Sequence, residues 1–279
     1  MFATTLGVAA TPPTLGLVAS GAPLQAGDTG DDWVRGLAWQ PERSGLGYQL
    51  VPTCGDPVGT YTPPRPGAVF YQPVTIRFAE TCSTLDGTVD RERLRRMAEA
   101  TTPFAVGREL WGGAAGAAEP FTDPLTGQPA ENQRLASSAA TIISTTPASA
   151  KRSFGELEQR AMEAARGQNV YIHVPIAVVP SVVLGLRRVG QRLLTNLDNV
   201  VVADPGYTGS GPGGQIPGNT MWCYATAPVQ VRVTPLQVHD ADRDTVDRST
   251  NSRTGWATRV MAATFDPAVH LAIEVQLGS

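Results

Sequence analysis

The sequence predicts an α+β fold in which strands outnumber helices. Two stretches carry apolar residues at helical three- and four-residue steps, one from about 90 to 111 and one from 153 to 164. Most other apolar stretches alternate with period two, or run as short blocks between Gly and Pro, as strands do. Residues 1–30 are rich in Ala, Thr, Gly and Pro, a composition too weakly apolar to close a core of its own, and residues 112–150 are again rich in Gly, Ala, Ser and Thr. With 279 residues the chain is long enough to bury a substantial core, as one large domain or two closely joined ones.

Taken in order, residues 1–30 are also too apolar for a solvated tail and are expected to become ordered by lying on another surface. Over 33–72, Gly45, Gly47, Gly55, Gly59 and the Pro63-Pro64-Arg65-Pro66 cluster break the chain into short extended pieces. The run 69–82 alternates at Val74, Ile76 and Phe78, a strand with one buried face. After Asp86-Gly87, Leu94, Met97, Thr101, Phe104 and Trp111 line one face of a helix starting near Asp90, which Pro103 and Gly107 are expected to kink or divide. Ser153 and Glu156 read as a capping box that opens a second helix through Phe154, Leu157, Ala161 and Ala164, ended by Gly167. The strand 169–174 sets His173 opposite Val170, Ile172 and Val174, residues 175–190 read as a short helix with a proline at its start, and 191–197 and 199–204 are strands. Residues 220–226 and 229–238 are consecutive strands. Residues 256–265 and 268–277 read as a terminal pair turning at Asp266-Pro267, with Leu271, Ile273, Val275 and Leu277 on one face.

The chemistry-bearing patterns each fail on their surroundings. Gly209, Gly211 and Gly214 have the spacing of a dinucleotide loop, but Pro212, Pro217 and Gly218 leave no following helix to offer N–H groups to a phosphate. The stretch 206–218 therefore reads as a long, flexible, polar loop. Ser210 lacks the first glycine and the helix of a hydrolase elbow, and His239 and Asp240 are neighbours that diverge in a strand. Cys54, Cys82 and Cys223 form no C-x-x-C pair, and His173, His239 and His270 are the only histidines, so no zinc set is expected. Each cysteine reads as a buried free thiol, with a Cys54–Cys82 approach across a hairpin as the alternative. Asp240, Asp242, Asp244 and Asp247 lack the glycine of a calcium loop, and Arg243 opposes a cation, which leaves a solvated turn. A net charge of −3 and the absence of Lys or Arg before Arg35 argue against a nucleic-acid-binding arm. Lys151 is the one lysine among 22 basic residues and reads as a solvated linker residue. No apolar run reaches membrane-span length and the first residues lack the basic start of a secretory signal, so a soluble, unexported protein is expected. No catalytic, cofactor or metal site is expected, and the chain does not read as an enzyme.

The order of elements carries more information than any motif. Residues 171–209, YIHVPIAVVPSVVLGLRRVGQRLLTNLDNVVVADPGYTG, resemble a stretch of the bacteriophage major capsid proteins of the Hong Kong 97 type: strand, proline, short helix, Arg-Leu-Leu, valine run and glycine tip. Residues 247–275 resemble that family's closing strands. Residues 45–55, GLGYQLVPTCG, and 78–113, from FAETCSTLDG to GRELWGG, are similar to its actinobacteriophage-like members. The resemblance implies a Hong Kong 97-type capsid fold with 1–31 as N-arm, 32–68 as E-loop, 69–150 as the first part of the P-domain with its spine helix, 151–238 as A-domain and 239–279 as returning P-domain strands. It implies a structural protein that self-assembles into the icosahedral head of a tailed bacteriophage and encloses packaged double-stranded DNA without reading its sequence. The implied partners are copies of itself in pentamers and hexamers, with portal, scaffolding and decoration proteins, and no membrane. The implied location is the virion, assembled in the host bacterial cytoplasm. An encapsulin-type compartment enclosing cargo proteins is the alternative with the same fold, against which the apolar N-arm and the length of the E-loop weigh. An unrelated β-rich enzyme or carbohydrate-binding module is the third reading. The chain departs from the founding member in lacking a long charged scaffolding region, and Lys151 lies outside the E-loop where that member carries its crosslinking lysine, so covalent chain-mail is not expected. On this reading the N-arm and E-loop bury their apolar groups on neighbouring subunits, and loop 206–218 sits at the A-domain tip, where it takes different paths in pentamers and hexamers.

Overall fold

A 13-residue strand, β16 (Ser252–Thr264), is the hub of a six-stranded sheet. One of its edges pairs antiparallel with β4 (Val74–Ser83) from Ser252↔Ser83 to Met261↔Val74. Its other edge takes β15 (Val246–Asp247), β14 (Gln237–His239) and β13 (Gln230–Val233) in succession, and β1 (Leu24–Ala26) adds to β13 in parallel. The computed structural model describes residues 16–20, 24–26, 37–39, 69–83, 90–113, 121–123, 127–214, 218–239, 246–247 and 249–277. Two short antiparallel pairs complete the small elements, β2 (Leu37–Trp39) with β3 (Val69–Tyr71) and β5 (Phe121–Thr122) with β6 (Pro129–Ala130).

Helix α1 (Arg91–Gly112) lies on the six-stranded sheet. Asp90 caps it as expected, its carboxylate accepting from the N–H groups of Glu92 and Arg93 at 3.0 and 3.1 Å. Gly113, at φ 60°, closes the other end by donating to the Glu109 carbonyl. The helix is not divided. Pro103 leaves the Glu99 carbonyl without its helical donor, while the Thr101 and Thr102 hydroxyls donate to the carbonyls just before it, Met97 and Ala98. Its buried stripe also differs from the expected one, running through Leu94, Ala98, Thr102, Val106 and Leu110, with Met97 and Thr101 exposed. Small Ala98 meets Ala257 of β16 there, between Phe78 and Val238.

A seven-stranded mixed sheet has the order β7-β17-β12-β8-β11-β10-β9. Its members are β7 (Thr141–Ser149), β8 (Tyr171–Pro175), β9 (Leu186–Val189), β10 (Arg192–Thr195), β11 (Val200–Asp204), β12 (Thr220–Thr226) and β17 (His270–Gln276). Every residue of β8 and β11 is buried, which is why both read as short apolar blocks. Val170, Ile172, Val174, Val201, Ala203, Cys223, Ala225, Ile273 and Val275 face α2 (Ala150–Ala164). Tyr171, Val200, Val202, Tyr224 and Ala272 face the opposite way, into a second core shared with the C-terminal half of α1 and with Val231, Met261 and Ala263 of the six-stranded sheet. β7 is an edge strand that carries Pro147 and register shifts against β17, two devices that blunt an edge.

Two expectations change in this region. Helix α2 starts at Ala150, so Ser153 is inside it and is no N-cap; its buried hydroxyl donates towards the carbonyls of Ala148 and Glu274. Lys151 is accordingly an exposed first-turn residue of α2, where a linker position was expected. Gly167 does end the segment, at φ 76° with its N–H on the Met162 carbonyl. Moreover, β16 and β17 do not pair: the turn at Asp266-Pro267 carries the chain from one sheet to the other, and β17 inserts between β12 and β7. Strands β13 and β14, within the expected 151–238 unit, belong to the six-stranded sheet, and β17 to the seven-stranded one, so the two sheets do not divide the chain at residue 238.

Candidate assembly surfaces

Two of the residues singled out for chemistry, His173 and Ser210, lie in a buried polar network behind β8 and β12. The Thr226 hydroxyl donates to the Ala227 carbonyl at 2.7 Å, so it accepts from His173 Nε2 at 2.9 Å. His173 Nδ1 then accepts from the Tyr207 hydroxyl at 2.8 Å, which assigns His173 as neutral with its proton on Nε2. His173 is fully buried, and this burial, with a smaller contribution from His270, pushes its pKa down to about 3. Trp111 Nε1 donates to Ser210 Oγ at 2.9 Å, the Ser210 and Thr208 hydroxyls share a bond of the same length, and the Tyr224 hydroxyl donates to the Ser210 carbonyl. Ser210 thus has a tryptophan and a threonine against it, where a nucleophile would need a base. These bonds order a core.

Loop 206–218 differs from expectation in kind. Gly206, Tyr207, Gly209, Ser210 and Gly211 are buried, and the Gly213 N–H donates to the Ala136 carbonyl. A Cβ at Gly211 would stand 2.4 Å from Trp222 Nε1, and one at Gly209 3.1 Å from Met221 Cγ. These glycines permit close packing against side chains of β12, so the stretch 206–211 is largely interior, whereas Gly213, Gly214 and Gly218 are exposed; residues 215–217 lie outside the described residues.

The other nominated residues scatter. Cys82 and Cys223 are free, and burial raises the Cys223 thiol; Cys54 lies outside the described residues, as do Asp240, Asp242 and Asp244. Asp247 is exposed and accepts from the Ser249 hydroxyl and the Ser249 N–H, which hold its carboxyl at about 2, as suits a solvated turn. His239 bonds the Thr258 hydroxyl on the surface, and His270 bonds the Leu135 carbonyl. Among the described residues no group of three metal-ligating side chains comes together.

The surface that sequence reasoning missed is the far rim of the seven-stranded sheet. After β8 the chain makes a 3₁₀ turn (Ile176–Val178), a short helix α3 (Val179–Val182) and a second 3₁₀ turn (Val183–Gly185), then enters the hairpin β9–β10 around Gly190 at φ 61°. Leu184 is wholly exposed, and Ile176, Val183, Val189 and Leu197 are each roughly half exposed. Arg187, Arg188 and Arg192 stand among them; Arg187 pairs with Asp198, and Arg188 Nε donates to the Gly190 carbonyl. A cavity of about 380 Å³ opens between α2 and this segment, lined by Lys151, Phe154, Gly155, Glu158, Leu184 and Thr195 among others. A second groove shares Gly155 and Glu158 and reaches Met162 and Leu197. The rim therefore sets exposed apolar side chains among arginines, and it is ridged and indented. The signal was present in the block IAVVPSVVLGL, whose apolar residues outnumber those that one short helix can bury.

No family model matches the chain, and no curated protein matches it. Solved structures do. The chain is similar to the capsid of a native GTA particle, with a TM-score of 0.55 at 10% identity over 100% of this chain and 95% of that one. A structure from Mycobacterium phage Adephagia matches with a TM-score of 0.54 at 11% identity, over 99% and 93% of the two chains. One from Microbacterium phage Oxtober96 matches with a TM-score of 0.53 at 12% identity, over 99% and 96%. At such identities the likeness is one of fold, and it runs from end to end.

Proposed function

We propose that this chain, which has the Hong Kong 97-type capsid fold, is a major capsid subunit whose copies assemble into the icosahedral head of a tailed bacteriophage and enclose its packaged double-stranded DNA. The observation that carries the reading is the likeness to a particle's capsid over the whole of this chain and 95% of that one. The apolar rim of the seven-stranded sheet supports it. Leaving Leu184 and its half-exposed neighbours in water forfeits stabilisation that a neighbouring copy restores, at roughly 1.5–3 kcal/mol for each large apolar side chain fully covered. In a ring of identical copies such a contact recurs at every subunit boundary, so modest pairwise contacts add up to a stable capsomer. The DNA is held by enclosure, in keeping with a net charge of −3.

On this reading the six-stranded sheet with α1 is the P-domain and the seven-stranded sheet with α2 is the A-domain. The β2–β3 pair is the base of the E-loop. The protein is structural, without an active site, and resides in the virion after assembly in the host cytoplasm. Portal, scaffolding and decoration proteins are its further partners. Cryo-electron microscopy of the purified full-length protein tests the reading: closed shells of pentamers and hexamers are expected. Dispersed monomers at every concentration would overturn it, and protein-filled shells from the native source would favour a cargo compartment.

A further inference from the structure

Asp204 ends β11 with its carboxylate buried, and the two oxygens serve different parts of the chain. Oδ1 accepts from the N–H of Gly206 at 2.7 Å, a local turn. Oδ2 accepts from the N–H of Leu17 at 2.8 Å, from 187 residues away. Three glycines make the convergence possible. A Cβ at Gly16, whose φ is +121°, would stand 2.5 Å from Oδ2, and one at Gly107 of α1 would stand 2.4 Å from Oδ1. A Cβ at Gly206 would stand 2.6 Å from the Arg108 backbone nitrogen. Thus the N-terminal segment, the long helix and the turn after β11 meet at one carboxylate. Leu17, itself fully buried, enters the core beside Val106, Val202 and Tyr207. Seven residues later β1 adds in parallel to β13. Residues 16–20 therefore touch the seven-stranded sheet at Asp204, and residues 24–26 the six-stranded sheet at β13.

We propose that the segments 16–20 and 24–26 act as a detachable strap on the two sheets and that Asp204 is its latch. Among the described residues, the strap meets the first sheet through the Leu17 N–H bond to the Asp204 carboxylate and the inserted Leu17 side chain, at a point where glycine lets the backbone in. The socket does not need the strap: β11 is held by β8 along five paired residues, and the Gly206 bond keeps the carboxylate oriented when Leu17 leaves. Breaking the latch frees the strap and leaves the seven-stranded sheet folded. This holds whether or not copies of the chain build a shell. It also places residues 16–20 on the subunit's own core, where the N-terminal segment was expected to lie on neighbours.

Hydrogen exchange on the full-length chain tests the latch. In Asp204→Asn the amide keeps one acceptor and must give up one of the two N–H bonds. The Leu17–Ser20 and Leu24–Ala26 amides should exchange roughly tenfold to a hundredfold faster, the loss expected for a hydrogen bond to a buried charge, with amides of β8, β11 and β12 unchanged. Gly16→Ala keeps Asp204 and the β8–β11 pairing and sets a methyl 2.5 Å from Oδ2, so it should displace the strap and give the same pattern even if the Asp204 variant fails to fold. An unchanged Leu17 amide in Gly16→Ala, or an equal loss of protection through β8, β11 and β12, would overturn the proposal.

Discussion

His173 shows how a histidine that looks available for chemistry is committed elsewhere. Both ring nitrogens are engaged, and burial pushes its pKa from 6.5 to about 3. A depressed value means the fold prefers the neutral ring: the stability it contributes is complete above about pH 6.5 and is lost as pH falls towards 3, on the order of 1.4 kcal/mol per pH unit. Burial lowers His270 as well, and the effect has the same sign. Asp204 works the other way. Burial raises its carboxyl, so its contribution is present at low pH and is lost as pH rises through that raised value. Comparing variants isolates the histidine: in His173→Gln the unfolding midpoint should fall less steeply between pH 6.5 and 4 than in wild type, whatever its absolute stability. Parallel slopes would mean that His173 titrates freely in the folded chain. The loop glycines give a second test at this scale. Gly211→Ala sets a methyl 2.4 Å from Trp222 Nε1 and should cost about 1–3 kcal/mol, whereas Gly218→Ala meets nothing and should stay within about 0.5 kcal/mol of wild type in urea unfolding. Equal, small effects would fit the flexible, polar loop that the sequence suggested.

At the scale of elements, what could be read in the sequence is what local chemistry decides. The start of α1 was legible because Asp90 is followed by an amphipathic run, and the cap bonds to Glu92 and Arg93 are present. Asp90→Ala should therefore cost about 0.5–2 kcal/mol, read from a chemical-denaturation midpoint; an unchanged midpoint would show the cap to be idle. The faces of β8 and β17 were legible for a similar reason, since alternation states which residues share a side. Alternation does not state the partner. β16 and β17 are adjacent, apolar and joined by a turn containing proline, and nothing local shows that they part into different sheets, because the choice is made by β4, β7 and β12 from distant sequence. Strand β9 escaped notice because it is an exposed edge rich in arginine, with little apolar alternation to display. The capping box failed because Ser153 found carbonyl partners in Ala148 and in β17, which sequence spacing cannot register. Similarly, Asp204 lies at the end of an apolar run and looks like any strand-terminating aspartate until the fold brings Gly16 and Gly107 to it.

For the whole molecule, the question is what joins one copy to the next. Covalent joining through lysine has a single candidate, Lys151, exposed in the first turn of α2. Shells boiled in denaturant with reductant should run as single chains; a ladder of multimers lost in Lys151→Arg would refute this. On the proposed function, non-covalent joining would draw on surfaces such as the rim formed by Ile176, Val183, Leu184, Val189 and Leu197. Leu184 separates assembly from folding more cleanly than its neighbours, because it is wholly exposed in the isolated subunit and contributes little to its fold. Leu184→Asp should therefore leave the subunit's unfolding midpoint within about 0.5 kcal/mol of wild type. In an assembled ring the same change would place a carboxylate in an apolar contact at every subunit boundary, and an unpaired buried charge costs several kcal/mol at each. The expected outcome is a folded protein that sediments as monomer under conditions where wild type forms capsomers or shells. If Leu184→Asp assembles as well as wild type, the rim is not the contact between copies. If it unfolds, Leu184 supports the subunit itself, contrary to its exposure.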